Sequence, residues 1–287
     1  MGTWGPGIYS GDFASDLRAA VAAASRLPLE PDRIVQLLCE LEPDAAHIRD
    51  DEEHTVFWLV VADQLDKRGI RSTVATREAK AIIETGADSQ RMSELGMASA
   101  ILRKRAQILG ELFSRLRNDA PSGRRSSVLR EPQPFLFAVG ECWSYPTFQM
   151  GPINPYFSSP KIKEKYAKLD GWGGMVVTAK GRAFGYLAWY QLATAEIVFA
   201  EKPSLENLFG ENFVGRFAGT CPPLHLKKLR LQKVGDVTLN SAKVRELYLP
   251  QQLERYDRTA ISDISIANSL TVQSGSQRTK TLLEILA

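Results

Sequence analysis

A chain of 287 residues, 44% hydrophobic and 24% charged, can bury a sizeable core, and its length favours two domains. The net charge of +3 by itself marks neither a nucleic-acid binder nor a membrane-surface protein, but it is unevenly spread. Residues 1–66 carry 4 Lys and Arg against 13 Asp and Glu, and residues 67–130 carry 14 against 6. An acidic opening therefore precedes a basic middle. The two can pack together and neutralise each other, or the basic stretch can form a face for an acidic partner.

Three widely spaced cysteines, Cys39, Cys142 and Cys221, give no disulfide framework and no CxxC pair. No apolar run opens the chain, and no window approaches the ~20 apolar residues that span a bilayer. A soluble, reducing, cytoplasmic protein is expected.

In chain order, the opening comes first: Gly2, Trp4, Gly5, Gly7 and Tyr9, then Asp12 as a helix cap. Phe13, Leu17, Ala20, Val21 and Ala24 recur at helical spacing. Pro31 and Asp32 start a second helix, with Ile34, Val35, Leu37, Leu38 and Leu41 as its buried side, and Pro43 is expected to end it. Asp50–Glu53 leads a third and largely apolar helix, His54–Lys67, stopped by Gly69 and expected to be central. Residues 74–86 and 89–117 read as further helices, the last with Ile101, Leu102, Ile108, Leu109, Leu112, Phe113 and Leu116 on one side and basic residues on the other.

Residues 119–134 carry Pro121, Gly123, Arg124, Arg125, Arg130, Pro132 and Pro134, and read as a basic linker between a helical domain, 1–118, and a β-rich domain, 135–287. Strands are expected at Phe135–Val139, Cys142–Phe148, Met175–Thr178, Ala183–Tyr190 and Glu196–Ala200, with more near Leu226–Leu231 and Val237–Leu239. Residues 241–256 suit a helix or an edge strand, 259–276 a loosely ordered tail, and Leu282–Leu286 a short helix. The fold class is α+β, the second half being a strongly bent sheet or barrel-like domain.

The pattern Gly2, Trp4, Gly5, Gly7, Tyr9, then Asp12, Ala14 and Asp16, resembles the bacterial domain-of-unknown-function family numbered 4259. That resemblance covers at most the first 110 residues, implies a small helical domain, and carries no catalytic residue. Gly140, Tyr145, Pro146 and Asp170-Gly171-Trp172-Gly173 resemble the β-rich immunity proteins of bacterial toxin systems.

Candidate chemistry is sparse. Asp51 and His54 lie three apart and could bind a divalent metal in a hydrolase, with His47 nearby, but no HExxH is present and a helix N-terminus also accounts for the acids. Cys221 and His225 lie four apart with Pro222 and Pro223 between them, which defeats a regular helix through the pair. No GxSxG elbow and no GxxxxGK[ST] cradle occurs; Gly171-Trp172-Gly173-Gly174 reads as the start of a strand or a bulge. No catalytic set and no cofactor is expected.

Three basic strips are candidates for nucleic acid. The first is Arg103, Lys104 and Arg105 with Arg115, Arg117, Arg124, Arg125 and Arg130; the second is Lys161, Lys163, Lys165 and Lys168; the third is Lys227, Lys228, Arg230 and Lys233. Trp143, Tyr145, Tyr156, Phe157, Phe184, Tyr186, Trp189 and Tyr190 form the densest aromatic group, chiefly core. Strand alternation sends Phe184 and Tyr186 to one face and Trp189 to the other, so Tyr186 and Trp189 with Arg182, together with Trp172, are the candidate protein-binding residues. The expected function is a non-catalytic bacterial macromolecule-binding protein with a protein partner, of an immunity or defence kind; nucleic-acid binding and metal-dependent hydrolysis at Asp51 and His54 are the alternatives.

Overall fold

A computed structural model describes residues 5–124, 127–156, 168–271 and 278–287. Gly2, Trp4, Arg125, Phe157, Lys161, Lys163 and Lys165 lie outside these residues. The chain is α+β and divides into two compact units, Met1–Glu131 and Pro132–Ala287.

The first unit is helical: α1 Asp12–Ala24, α2 Pro31–Leu41, α3 Pro43–His47, α4 His54–Lys67, α5 Thr73–Thr85, α6 Ala87–Glu94 and α7 Ser99–Leu116. Helix α4 is its centre, with every residue from Thr55 to Asp66 buried, because α1, α3, α5 and α6 all pack on it. Gly69 turns at φ 70° after it, as expected. Three local expectations change. Pro43 does not merely end α2 but stands at the first position of α3, where its missing N–H is no loss. Asp12 lies in the first turn of α1, and the residue flanking the helix is Gly11, with no side-chain cap. The helix expected over 89–117 is two, broken at Gly96, whose φ of 83° is left-handed.

The segment read as linker is partly bonded to the helical unit. Asn118 and Ala120 carbonyls accept from Arg71 Nη2 at 3.2 and 3.0 Å, Ser122 donates twice to Asp66, and the Leu129 N–H reaches the Arg26 carbonyl at 2.7 Å. Gly123 donates to the Asp66 carbonyl and passes so close to Lys67 that a Cβ would lie 1.9 Å from its carbonyl oxygen.

The second unit holds an antiparallel sheet in the order β5-β1-β2-β3-β4-β6. Its strands are β1 Glu141–Thr147, β2 Gly171–Ala183, β3 Leu187–Ala195, β4 Asn212–Gly215, β5 Gln232–Asp236 and β6 Thr279–Thr281. Short helices α8 Leu205–Phe209, α9 Pro223–Lys228, α10 Ser241–Arg245 and α11 Tyr256–Ile261 cover it. The barrel-like expectation gives way to an open sheet with short edges at β5 and β6. Both faces are buried. Tyr145, Met175, Val177, Tyr190 and Leu192 pack on one side; Cys142, Val176, Ala193, Phe213 and Tyr248 pack on the other.

Several strand boundaries differ from expectation. Phe135–Val139 is no strand but a strap: Leu136 donates to the Tyr190 hydroxyl at 2.7 Å, and Phe137 sits edge-on to Tyr190 and Trp143. Ala183–Tyr190 spans the β2–β3 turn, where Phe184 and Gly185 take φ of 51° and 73°, so strand alternation does not run through it. Glu196–Ala200 contributes one bridge, Phe199 to Trp172; Leu226–Leu231 lies in and after α9; and Val237–Leu239 follows β5 rather than forming a strand. The stretch expected to be a loose tail contains the end of α11 and a 3₁₀ turn, Ile266–Ser269, with Ile261, Ile266 and Leu270 fully buried. Residues 241–256 begin as α10 and include a 3₁₀ turn, Pro250–Gln252; the C-terminal helix is likewise only a 3₁₀ turn, Leu283–Ile285.

Gly173 lies opposite Tyr145 across β1 and β2, and the Tyr145 ring covers it. A Cβ at Gly173 would meet ring carbons at 2.3 and 2.5 Å and the hydroxyl oxygen at 2.6 Å, while that hydroxyl is tied to the Leu270 carbonyl at 2.7 Å. The ring has no room to retreat. Gly173→Ala is expected to lower stability by about 1–3 kcal/mol, read as a lower urea midpoint at unchanged m-value.

Candidate functional site

The basic strip on α7 is split by burial. Arg103 and Lys104 are exposed. Arg105 is buried, because it falls on the same helical stripe as Leu109, Leu112 and Leu116. Its guanidinium forks onto Asp88, Nε to Oδ2 at 2.6 Å and Nη2 to Oδ1 at 2.8 Å, and Nη1 donates to the Gly7 carbonyl at 2.9 Å. Arg105 therefore holds the helical unit together and faces no phosphate. Arg115 is spent in the same way, on Asp63 and Asp66.

Asp51 and His54 do not converge. Asp51 Oδ1 accepts from the Glu53 N–H at 2.8 Å, and His54 Nδ1 donates to the Ala45 carbonyl at 2.8 Å. Among the described residues no group of three or more His, Cys, Asp or Glu side chains could hold a metal. Cys221 and His225 do not form a nucleophile–base pair. His225 Nδ1 contacts Ser265 Oγ at 3.1 Å, and burial pulls its pKa below the ordinary imidazole value. Burial pushes the Cys39 thiol up to about 11 and the Cys142 and Cys221 thiols up to about 12.

The predicted aromatic and basic residues of the sheet unit come together only in part. Arg182, Tyr186 and Trp189 share the β2–β3 end, where Arg182 pairs in register with Ala188. Trp172 lies ten residues back along β2, about 33 Å away. The Arg182 guanidinium sits 3.9 Å from the Phe135 ring centre, and its Nε donates to the Gln133 carbonyl at 3.0 Å. Trp189 stacks on Tyr256 with ring centres 4.0 Å apart and planes within 3°. These two side chains are thus engaged inside their own unit, Arg182 on the strap and Trp189 on α11.

A buried cation with an unsatisfied donor lies elsewhere in the sheet unit, at Arg216, which the sequence did not single out. Arg216 continues β4, its N–H donating to the Leu192 carbonyl at 2.9 Å. The residue is only 8% exposed. Nε donates to Thr194 Oγ1 at 2.7 Å, while Nη2 is buried with no hydrogen-bond partner. No described carboxylate forms an ion pair with it. Burial draws its pKa below the ordinary guanidinium value, against weaker opposing pulls from Tyr145 and Glu196.

Arg216 lines a cleft of about 340 Å³ with Phe217, Ala218, Gln252, Ile264 and Asn268. A second cleft of about 440 Å³ shares Phe217 and Ile264 and is bordered by Glu254, Arg255 and Arg258. Phe217 is 58% and Ile264 41% exposed. A relay of hydrogen bonds fixes the wall between them and the sheet. Gln252 Nε2 donates to the Gly215 carbonyl, Gln191 Nε2 to the Gln252 carbonyl, and the Tyr256 hydroxyl to Gln191 Oε1, at 2.9, 2.9 and 3.0 Å. The Ser269 hydroxyl holds the Phe217 carbonyl at 2.8 Å. The arrangement can take an anion beside apolar surface, and it presents no activated nucleophile.

No family model, no curated protein and no solved structure matches this chain.

Two measurements follow from these placements. Arg105→Met leaves Asp88 buried and unpaired, and is expected to cost about 3–5 kcal/mol in urea unfolding, whereas Arg103→Glu changes stability by no more than about 0.5 kcal/mol. Equal effects would contradict the buried fork. Iodoacetamide at neutral pH is expected to leave Cys39, Cys142 and Cys221 unmodified in the folded protein and to label all three in urea; rapid native labelling of Cys221 would reinstate it as a nucleophile.

Proposed function

We propose that this is a non-catalytic macromolecule-binding protein of the bacterial cytoplasm, of an immunity or defence kind, and that its partner is an acidic polypeptide docking at the Phe217–Ile264 surface. The observation that carries this reading is the pair of adjoining clefts sharing two exposed apolar side chains. An exposed aromatic beside arginines is the composition that dominates protein interfaces. Of the charged side chains that line the clefts, Arg216, Arg255 and Arg258 outnumber Glu254, so the surface complements negative charge. Three free cysteines suit a reducing compartment. The likeness carried by Gly140, Tyr145 and Pro146 supplies the immunity or defence setting. No helix among the described residues is long and apolar enough to cross a membrane.

The test is affinity capture from the source organism with wild type and with a Phe217→Ala, Ile264→Asp double variant, each with and without nuclease. One acidic protein is expected, retained after nuclease, weakened by salt, and bound about thirtyfold less by the double variant. Equal capture by the variant would remove this surface. A partner set lost on nuclease treatment would move binding to nucleic acid, with exposed Arg103 and Lys104 the first residues to reverse.

A further inference from the structure

The protein's buried charges divide sharply. Asp63, Asp66, Asp88 and Arg105 in the helical unit all make ion pairs. Among the described residues of the sheet unit, Arg216 is the one buried Arg, Lys, Asp or Glu, and it has no ion pair. Its Nε is anchored on Thr194, which fixes the plane of the guanidinium; Nη2 is buried without a hydrogen-bond partner, and the residue lines the cleft. Asn268, on the same cleft, adds a side-chain amide, while Phe217, Ala218 and Ile264 are apolar.

A planar cation held by one nitrogen, next to an amide and an apolar wall, matches a planar anion attached to an apolar body. We infer that the Arg216 cleft is a carboxylate-binding site whose occupant carries an apolar group onto Phe217 and Ile264. The inference rests on the binding reading above for the source of that carboxylate, which is the free C-terminus of a partner chain ending in an apolar residue. One guanidinium with no second cation among the described residues that line the cleft supports a monoanion better than a phosphate.

Titration of the full chain with N-acetyl-phenylalanine tests this, following the Arg216 Nε–H and the Phe217 and Ile264 amides by NMR. N-acetyl-phenylalaninamide removes only the charge, N-acetyl-glutamic acid α-amide moves the carboxylate to a side chain, and inorganic phosphate is the fourth probe. Saturable shifts at all three positions are expected with N-acetyl-phenylalanine and none with its amide. Arg216→Gln is expected to weaken binding about tenfold or more. Ile264→Glu, at an exposed position outside the sheet, should do the same without disturbing the Thr194 anchor, so the test stands even if Arg216→Gln fails to fold. Binding of the glutamic acid α-amide in place of N-acetyl-phenylalanine keeps the carboxylate site and overturns its C-terminal source. No shift with either carboxylate, equal shifts with the uncharged amide, or binding of phosphate alone overturns the site. No partner protein enters this experiment. Carboxylate binding with no captured partner would therefore keep the site but overturn the docking reading and the partner C-terminus as its source, and a captured partner without carboxylate binding would overturn the site.

Discussion

A charge removed from water must be given a partner, and most of the helical unit is arranged around that constraint. Asp63 and Asp66 lie on α4, the most enclosed helix, among Phe57, Leu59, Val60, Val61 and Leu65. Alone, each carboxylate would be a penalty of several kcal/mol. Arg115 reaches both from α7, Lys67 and the Tyr9 hydroxyl reach Asp63, and Arg71 and Ser122 reach Asp66. Burial works to raise the Asp63 pKa, but the hydrogen bonds from Lys67, Tyr9 and Arg115 outweigh it and hold the carboxyl below its ordinary value. The demand of these two carboxylates for donors is what ties down the N-terminal Tyr9 and the segment after α7. Part of the acidic opening and of the basic middle are thus partners inside one unit, Lys67, Arg71, Arg91 and Arg115 pairing with Glu52, Asp63 and Asp66.

The sheet unit solves a different problem. Its sheet is covered on both faces, so central strands β2 and β3 are nearly continuously apolar and show little alternation. Large rings fill the layers by lying over glycines: Tyr145 over Gly173 and Trp189 over Gly181. Hydroxyls within the layers reach carbonyls, Tyr145 on Leu270 and Tyr248 on Leu192. Trp143 Nε1 is also buried without a hydrogen-bond partner, but among the described residues Arg216 is the one buried Arg or Asp that lacks a counter-ion.

The candidate surface was hard to find from residue order because its parts are far apart in the chain. Phe217, Arg255 and Ile264 approach one another only through the β3–β4 pairing, the Gln252 relay and the Thr220–Ile264 backbone bond at 2.6 Å. A faint signal did exist: one arginine inside the apolar run Phe213–Ala218 is out of place in a strand. Arg105 offered a clearer one, because it is spaced four, seven and eleven residues before Leu109, Leu112 and Leu116. Adjacency to Arg103 and Lys104 made a basic strip of residues that point to different sides of the helix.

Residue order alone determined the α+β class, the central place of His54–Lys67, the glycine stop after it, and the start of β1 within one residue, since these rest on local periodicity, dipoles and positive φ. It misplaced the 135–139 strap and the Ala183–Tyr190 turn, where aromatic content mimicked strand propensity while the backbone was set by contacts with Tyr190 and by Gly185. Only the tertiary structure decided which buried charges are paired and that, among the described residues, Arg216 is not. Pairing is a matter of which side chains meet across elements, and burial turns a missing partner from a trivial loss in water into the dominant local cost.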